Sequence, residues 1–318
     1  MIQSYLRYFF IFSFFALFIL IDTVVGGMLR PYHLAATAGV LQQYEVVRNF
    51  KDDPDILFTG DSHTQNGLDT GAFSDLCRCK VGNISMNGAD MVTTYYLLQS
   101  YLAHNRTPKV AVIQINWSNL SYHPDGGYYT VLLEKLGPAE QWEYFRNSFD
   151  LNFVAKKFIR SFRYKKALSR LIKGDLAMQI TEAPRNGFMP LEGTVRSIDS
   201  NYTALHKPGS IEVIQDHAQA YYAGLIITLL KKAGSEVVIV QPPEPLDWFG
   251  QIKNVQEVED DILTSAKKHD VRFINFLLSS DMYLPNDTYF YDEKHLNREG
   301  ARIYTDNLWY LVKQDLSQ

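Results

Sequence analysis

From Tyr8 to Leu29 the chain reads YFFIFSFFALFILIDTVVGGML, with Asp22 as its one charge. About 20 apolar residues in a row are enough to cross a bilayer as a helix. The run is apolar on every face, which does not suit a core helix with one wet side. A cleaved signal sequence is the competing reading. The run is long for one, and the nearest A-x-A pattern, Ala36 to Ala38, lies well beyond its end. The expectation is an uncleaved anchor, with residues 1–32 as tail and transmembrane helix. Arg7 and the N-terminal amine flank one end and Arg30 the other, so basic flanks barely decide the orientation.

Residues 33–318 read as one large domain. The whole chain is 46% hydrophobic and 21% charged, which is ordinary globular composition and not that of a disordered chain. Its net charge of −4 argues against a large nucleic-acid footprint. Cys77 and Cys79 form a C-x-C pair, which is neither a disulfide framework nor a four-ligand zinc site. A bridge over one residue is expected to be strained, so they read as two ordinary thiols.

His33 to Phe50 reads as a helical linker leading away from the membrane. Short apolar runs then alternate with amphipathic ones. Strands are expected at Asp55–Thr59, Lys80–Ile84, Lys109–Ile115, Glu236–Val240 and Val271–Phe276. Helices are expected at Met91–His104, Ala218–Lys232, Val255–Lys268 and Arg298–Val312, the last with Asn297 as its N-cap. Such alternation implies a parallel sheet covered on both faces, a three-layer α/β sandwich. The alternation breaks between about 119 and 216. There, residues 139–173 look helical and 187–208 irregular, so the segment reads as an insertion. Its basic residues Lys156, Lys157, Arg160, Arg163, Lys165 and Lys166 read as a solvated helix face, with an anionic polymer as the alternative partner.

Two short motifs carry chemistry. Gly60-Asp61-Ser62-His63 directly follows the first strand, where an open parallel sheet binds its ligands. A glycine turn there exposes the Ser62 hydroxyl, and the Ser62 N–H points toward a developing oxyanion. Asp292-Glu293-Lys294-His295 precedes the last helix. A serine hydroxyl needs a base, His295 can supply it, and Asp292 can fix the tautomer of that base. No H-E-x-x-H motif or carboxylate-rich cluster supports a metal, and no cofactor is expected. His63 reads equally as a contact for an acyl donor or as a surface turn residue. Gln241-Pro242-Pro243-Glu244-Pro245 reads as a structural rim loop.

Taken together, the two motifs resemble the SGNH (GDSL-like) hydrolase superfamily. Gly60-Asp61-Ser62 matches its nucleophile block and Asp292-x-x-His295 its C-terminal block. Asn83-Ile84-Ser85-Met86-Asn87-Gly88 matches its glycine block, in which the Gly88 N–H donates to the oxyanion. Where the family offers G-x-N-D, this chain has Gln114-Ile115-Asn116-Trp117. Asn116 is therefore either the third oxyanion donor or a strand-end turn residue. The G-x-S-x-G elbow is missing, because Thr64 stands at its last position.

The anchor, the G-D-S-H block, Trp117 and the pattern Asp292-x-x-His295-Leu296-Asn297-x-x-Gly300 look like the DltD, AlgJ and AlgX-like subgroup. The resemblance implies a flavodoxin-like SGNH fold and a cytoplasmic N-terminus, with the domain outside the membrane. It further implies transfer of O-acyl groups to or from a cell-surface polysaccharide or teichoic acid, beside a membrane-bound O-acyltransferase. A membrane-tethered esterase and a non-catalytic polymer-binding scaffold are the alternatives.

Overall fold

The computed structural model describes residues 2–36, 38–50, 53–121, 135–148, 151–173, 187–194, 211–245, 250–277 and 286–313. Much of the expected irregular loop, after residue 194, lies outside the described residues. The chain divides into two units. One comprises Met1–Leu41 and Thr130–Glu182, the other Gln42–Tyr129 and Ala183–Gln318.

The second unit is the α/β domain. Its strands are β1 (Ile56–Thr59), β2 (Val81–Asn83), β3 (Val110–Gln114), β4 (Glu236–Gln241) and β5 (Arg272–Asn275). All neighbours pair in parallel, in the order β2-β1-β3-β4-β5. This is the flavodoxin-like doubly wound order, as expected, and its switch point lies between β1 and β3.

Both faces of the sheet are covered, which is why its strands read as continuous apolar runs. Ile56, Phe58, Val110, Val112, Val238, Val240 and Ile274 point to one side. There they pack with Phe73 of α4 (Thr70–Cys77) and with Ala301, Tyr304 and Leu308 of the C-terminal helix Arg298–Val312. The alternate residues Leu57, Ala111, Ile113, Val237 and Ile239 are buried on the other side. On that side, α5 (Met91–His104) packs against the long helix His217–Ala233, which also contacts β4. Asn297 caps the C-terminal helix as expected, its side chain accepting from Gly300 N at 2.9 Å.

One sequence expectation is overturned. Cys77 and Cys79 are joined as a disulfide, with Cα atoms 5.1 Å apart. Arg78 takes a left-handed backbone (φ 54°) at the end of α4 and folds the chain back on itself. That turn brings the two Cα atoms into bridging range, which spacing alone did not reveal.

The first unit is helical. It begins with α1 (Ile2–Ala36) and α2 (Ala38–Arg48), whose later residues belong to the α/β domain. The inserted helices follow: α7 (Pro138–Ser148), α8 (Leu151–Phe158), α9 (Arg160–Arg163) and α10 (Lys165–Lys173). Residues 5–34 of α1 are long and apolar enough to cross a membrane, and most of that surface is exposed. Of the basic residues expected on a solvated face, Lys156 is instead buried. Arg163 hydrogen-bonds the Lys156 and Lys157 carbonyls at 2.7 and 2.8 Å, closing the end of α8.

Candidate active site

The turn after β1 is shaped by Gln114 at the end of β3. Its Oε1 accepts from Asp61 N at 2.9 Å and from Thr64 Oγ1 at 3.1 Å. Gly60 has to be glycine, because a Cβ there would lie 2.7 Å from the Gln114 Cβ. Asp61 then caps α3 (Ser62–Gly67), its Oδ1 accepting from His63 N at 2.8 Å. Ser62 is thus the first residue of a helix that starts at the switch point of the sheet, and it is partly exposed.

The other end of the chain arrives on a loop whose residues each have a local task. Leu296 is buried in the core, with its Cδ1 3.3 Å from where a Gly67 Cβ would stand. Asn297 Nδ2 donates to the carbonyls of Thr288 and Gly193 at 2.7 and 3.0 Å. Tyr291 N donates to the His295 carbonyl at 2.8 Å. Gly300 is pressed against the Tyr289 carbonyl, where a side chain would collide. Farther along, Asp69 N after α3 donates to Thr305 Oγ1 at 2.9 Å. These contacts seat the loop against α3.

The seating brings His295 Nε2 to 2.8 Å from Ser62 Oγ, across 233 residues of sequence. The other ring nitrogen, Nδ1, lies 2.8 and 2.9 Å from the two Asp292 oxygens. Asp292 Oδ1 also accepts the backbone N–H groups of Lys294 and His295, both at 2.8 Å. Burial works to raise the Asp292 pKa. The hydrogen bond and charge of His295, with the two N–H groups, outweigh it and hold the carboxyl below its ordinary value. A carboxylate at Nδ1 keeps the hydrogen on that nitrogen, so Nε2 presents its lone pair to the serine hydroxyl.

Gly88 lies on the loop after β2, exposed, with a left-handed backbone (φ 70°) that favours glycine. The loop is pinned beside the Ser62 turn: Met86 N donates to the Gly60 carbonyl at 3.2 Å, and Asn87 N to Gln65 Oε1 at 2.7 Å. Asn116 is buried and caps α6 (Trp117–Leu120). Its Oδ1 accepts from Asn119 N at 2.9 Å, and Asn119 Oδ1 accepts from Asn116 N at 3.0 Å. That capping box fixes the orientation of the amide and turns Nδ2 toward His63 Nδ1, 3.3 Å away.

His63 is not a surface turn residue; it is buried. Its Nδ1 lies 2.9 Å from Asp61 Oδ1, and its Nε2 is 3.6 Å from Glu244 Oε1. Glu244, from the Pro-rich loop after β4, accepts Trp117 Nε1–H at 2.7 Å and is itself buried. Burial works to lower the His63 pKa, but the Asp61 charge and hydrogen bond, with Glu244, carry it above the ordinary imidazole value. Burial likewise works to raise Asp61, and His63 holds it low. In Glu244 burial prevails and the carboxyl is raised. With the Nδ1 hydrogen directed to Asp61, the Asn116 amide hydrogens have no lone pair to meet on that nitrogen.

The sequence offered no signal for this second carboxylate–histidine set beyond the D-S-H spacing itself. The Glu244 loop read as structural, and its carboxylate comes to His63 only through the packing of β4 beside β3. Among the described residues, no group of three or more His, Cys, Asp or Glu side chains is placed to hold a metal.

No protein-family model matches the chain, and no curated protein matches it. Among solved structures, it is similar to a proposed acylhydrolase from Bacteroides fragilis at 11% identity and a TM-score of 0.43, over 82% of this chain and 87% of that one. It is also similar to TesA at 13% identity and a TM-score of 0.40, over 81% of this chain and 98% of that one.

Proposed function

We propose that the protein is a membrane-anchored serine acyl-transfer enzyme, and the observation that carries this is the 2.8 Å contact between His295 Nε2 and Ser62 Oγ. His295 takes the Ser62 proton as Oγ attacks the acyl carbon. The carbonyl oxygen becomes an oxyanion facing the Ser62 and Gly88 N–H groups and the Asn116 amide. Collapse expels the leaving alkoxide, which takes the proton back from His295. A hydroxyl acceptor then gives its proton to His295 and attacks the Ser62 ester, reversing the sequence and freeing the serine.

The acyl group in this reading is of acetyl or D-alanyl type, carried on a cell-surface polysaccharide or teichoic acid. The domain works outside the membrane, beside a membrane-bound O-acyltransferase, as its likeness to the DltD, AlgJ and AlgX-like proteins implies. Two features support that placement: the long apolar α1 and the bonded Cys77–Cys79 pair, which suits an oxidising compartment.

Ser62→Ala should abolish modification of the surface polymer while the protein stays folded and membrane-bound. With an acylated donor and purified full-length protein, acyl groups should reach added polymer faster than free acid appears. Acid release at a rate indifferent to polymer identifies a tethered esterase instead. Polymer modification in cells that survives Ser62→Ala, with no turnover by the purified protein, leaves the scaffold reading.

A further inference from the structure

Asp22 is the one charge in the apolar run, and a lone carboxylate at that depth in a bilayer costs several kcal/mol unless it is paired. It is fully engaged. Its Oδ2 accepts from Arg160 N at 2.8 Å, and its Oδ1 accepts from Ser161 N at 2.9 Å and Ser161 Oγ at 2.6 Å. Asp22, Val25, Gly26, Leu29 and His33 fall on one helical stripe, and each of them meets the inserted helices. Gly26 lets the Arg160 side chain lie directly on α1, where a Cβ would collide with it. Small residues serve this purpose at helix contacts inside membranes. Leu29 is buried with Tyr164 and Ala167, Val25 and Leu171 flank them, and the His33 ring lies 4.7 Å from that of Tyr164.

This docking fixes depth. From Tyr8 to Leu29 a helix rises about 33 Å, close to the ~30 Å hydrocarbon thickness. Asp22 lies about 10 Å inside the Leu29 end of that run. Helices attached at Asp22 therefore cannot stand clear of a bilayer that α1 spans. Their surfaces fit this position. Leu151 and Phe158 on α8 and Ile172 on α10 are 78%, 73% and 77% exposed, which is costly in water. Exposed Lys157, Arg160 and Lys165 stand beside them. Alternation of large apolar side chains with long cationic ones is the pattern of helices lying at a lipid–water boundary.

We propose that α8, α9 and α10 form a collar around the distal end of α1, embedded in the interfacial layer of one leaflet. Leu151, Phe158 and Ile172 enter the acyl chains, and Lys157, Arg160 and Lys165 meet the lipid phosphates. The occupant of this apolar surface is the bilayer itself, because the collar is continuous with the anchor. The inference rests on reading α1 as membrane-spanning.

The test uses the full chain with Cys77→Ser and Cys79→Ser, reconstituted in vesicles of phosphatidylcholine and phosphatidylglycerol. Single labelling sites are added by Val24→Cys on the exposed face of α1, Phe158→Cys, Ile172→Cys or Asp260→Cys, each carrying an environment-sensitive fluorophore. Labels at 24, 158 and 172 should be quenched by nitroxide-bearing lipids and protected several-fold from aqueous iodide, with the label at 260 behaving oppositely. A lipid-immersed label at 24 with labels at 158 and 172 open to iodide overturns the collar and leaves the anchor standing. The same result is expected if the surface is covered by a protein partner, since these vesicles contain none. A label at 24 open to iodide overturns the anchor reading and the collar with it.

Discussion

Asp292 and His295 form a carboxylate–histidine pair on a partly exposed loop; Asp61 and His63 form one inside the protein, with their ring centroids 5.4 Å apart. In both, a carboxylate oxygen lies 2.9 Å from Nδ1. They differ at Nε2. His295 presents that nitrogen to a serine hydroxyl, and His63 presents it to a second carboxylate, Glu244. The first arrangement leaves a lone pair for taking up a proton. The second surrounds the imidazole with negative charge, which favours keeping its proton. The pairing alone therefore does not distinguish the two rings; the group at Nε2 and the exposure of each ring do.

Deleting each ring in turn separates their roles most directly. His295→Ala should lower turnover by roughly 10⁴-fold or more, as removal of a base from such a unit does, with little change in thermal stability. Turnover that survives this change transfers the base role to another group, His63 first. Asn116→Ala should cost roughly 10²–10³ in turnover if its amide donates to the oxyanion. A rate close to the parent's would reduce Asn116 to the α6 cap.

His63→Phe should act mainly on folding. It leaves Asp61 and Glu244 buried without their cation, a loss of about 3–5 kcal/mol of stability. The folded fraction should still turn over. A variant of full stability and abolished turnover, measured by denaturant titration and initial rates, would reverse the roles assigned to the two rings.

The smallest effect is in pH dependence. The His63 pKa is raised, so its contribution to stability is complete below the ordinary value of 6.5 and is lost as pH rises through the higher folded value. Asp292 is lowered, so its contribution is present above 3.8 and disappears as pH falls through the lower folded value. Melting temperatures across pH should decline on the alkaline side in the parent and less so in His63→Phe. An alkaline limb unchanged by that substitution assigns it to other groups.

The two pairs were also unequally legible. Asp292-x-x-His295 announced itself because every residue around it has a job that local sequence encodes: a core leucine, a capping asparagine, a glycine under a carbonyl. His63 sits in an equally short motif that leaves it open between a donor contact and a surface turn, because nothing in Asp61-Ser62-His63 tells whether β4 will bring a carboxylate onto its far side. Asn116 shows the same limit. Its strand-end position was readable, but the direction of its amide follows from a capping box and a buried imidazole neighbour.

The periodic elements, the parallel α/β class, the Asn297 cap and the apolar length of α1 were all legible in the order of residues. These depend on residues within one or two turns of each other, where period, cap and turn chemistry act directly on the backbone. Tertiary structure alone decided that His295 reaches Ser62, that His63 and Glu244 share a dry site, that Asp22 is answered by Arg160 and Ser161, and that Arg78 folds two cysteines into a bridge. Whether a polar or charged side chain is stabilised depends on the solvent it loses and the partner it gains. Both are set by which distant segment packs over it, information that no local pattern carries.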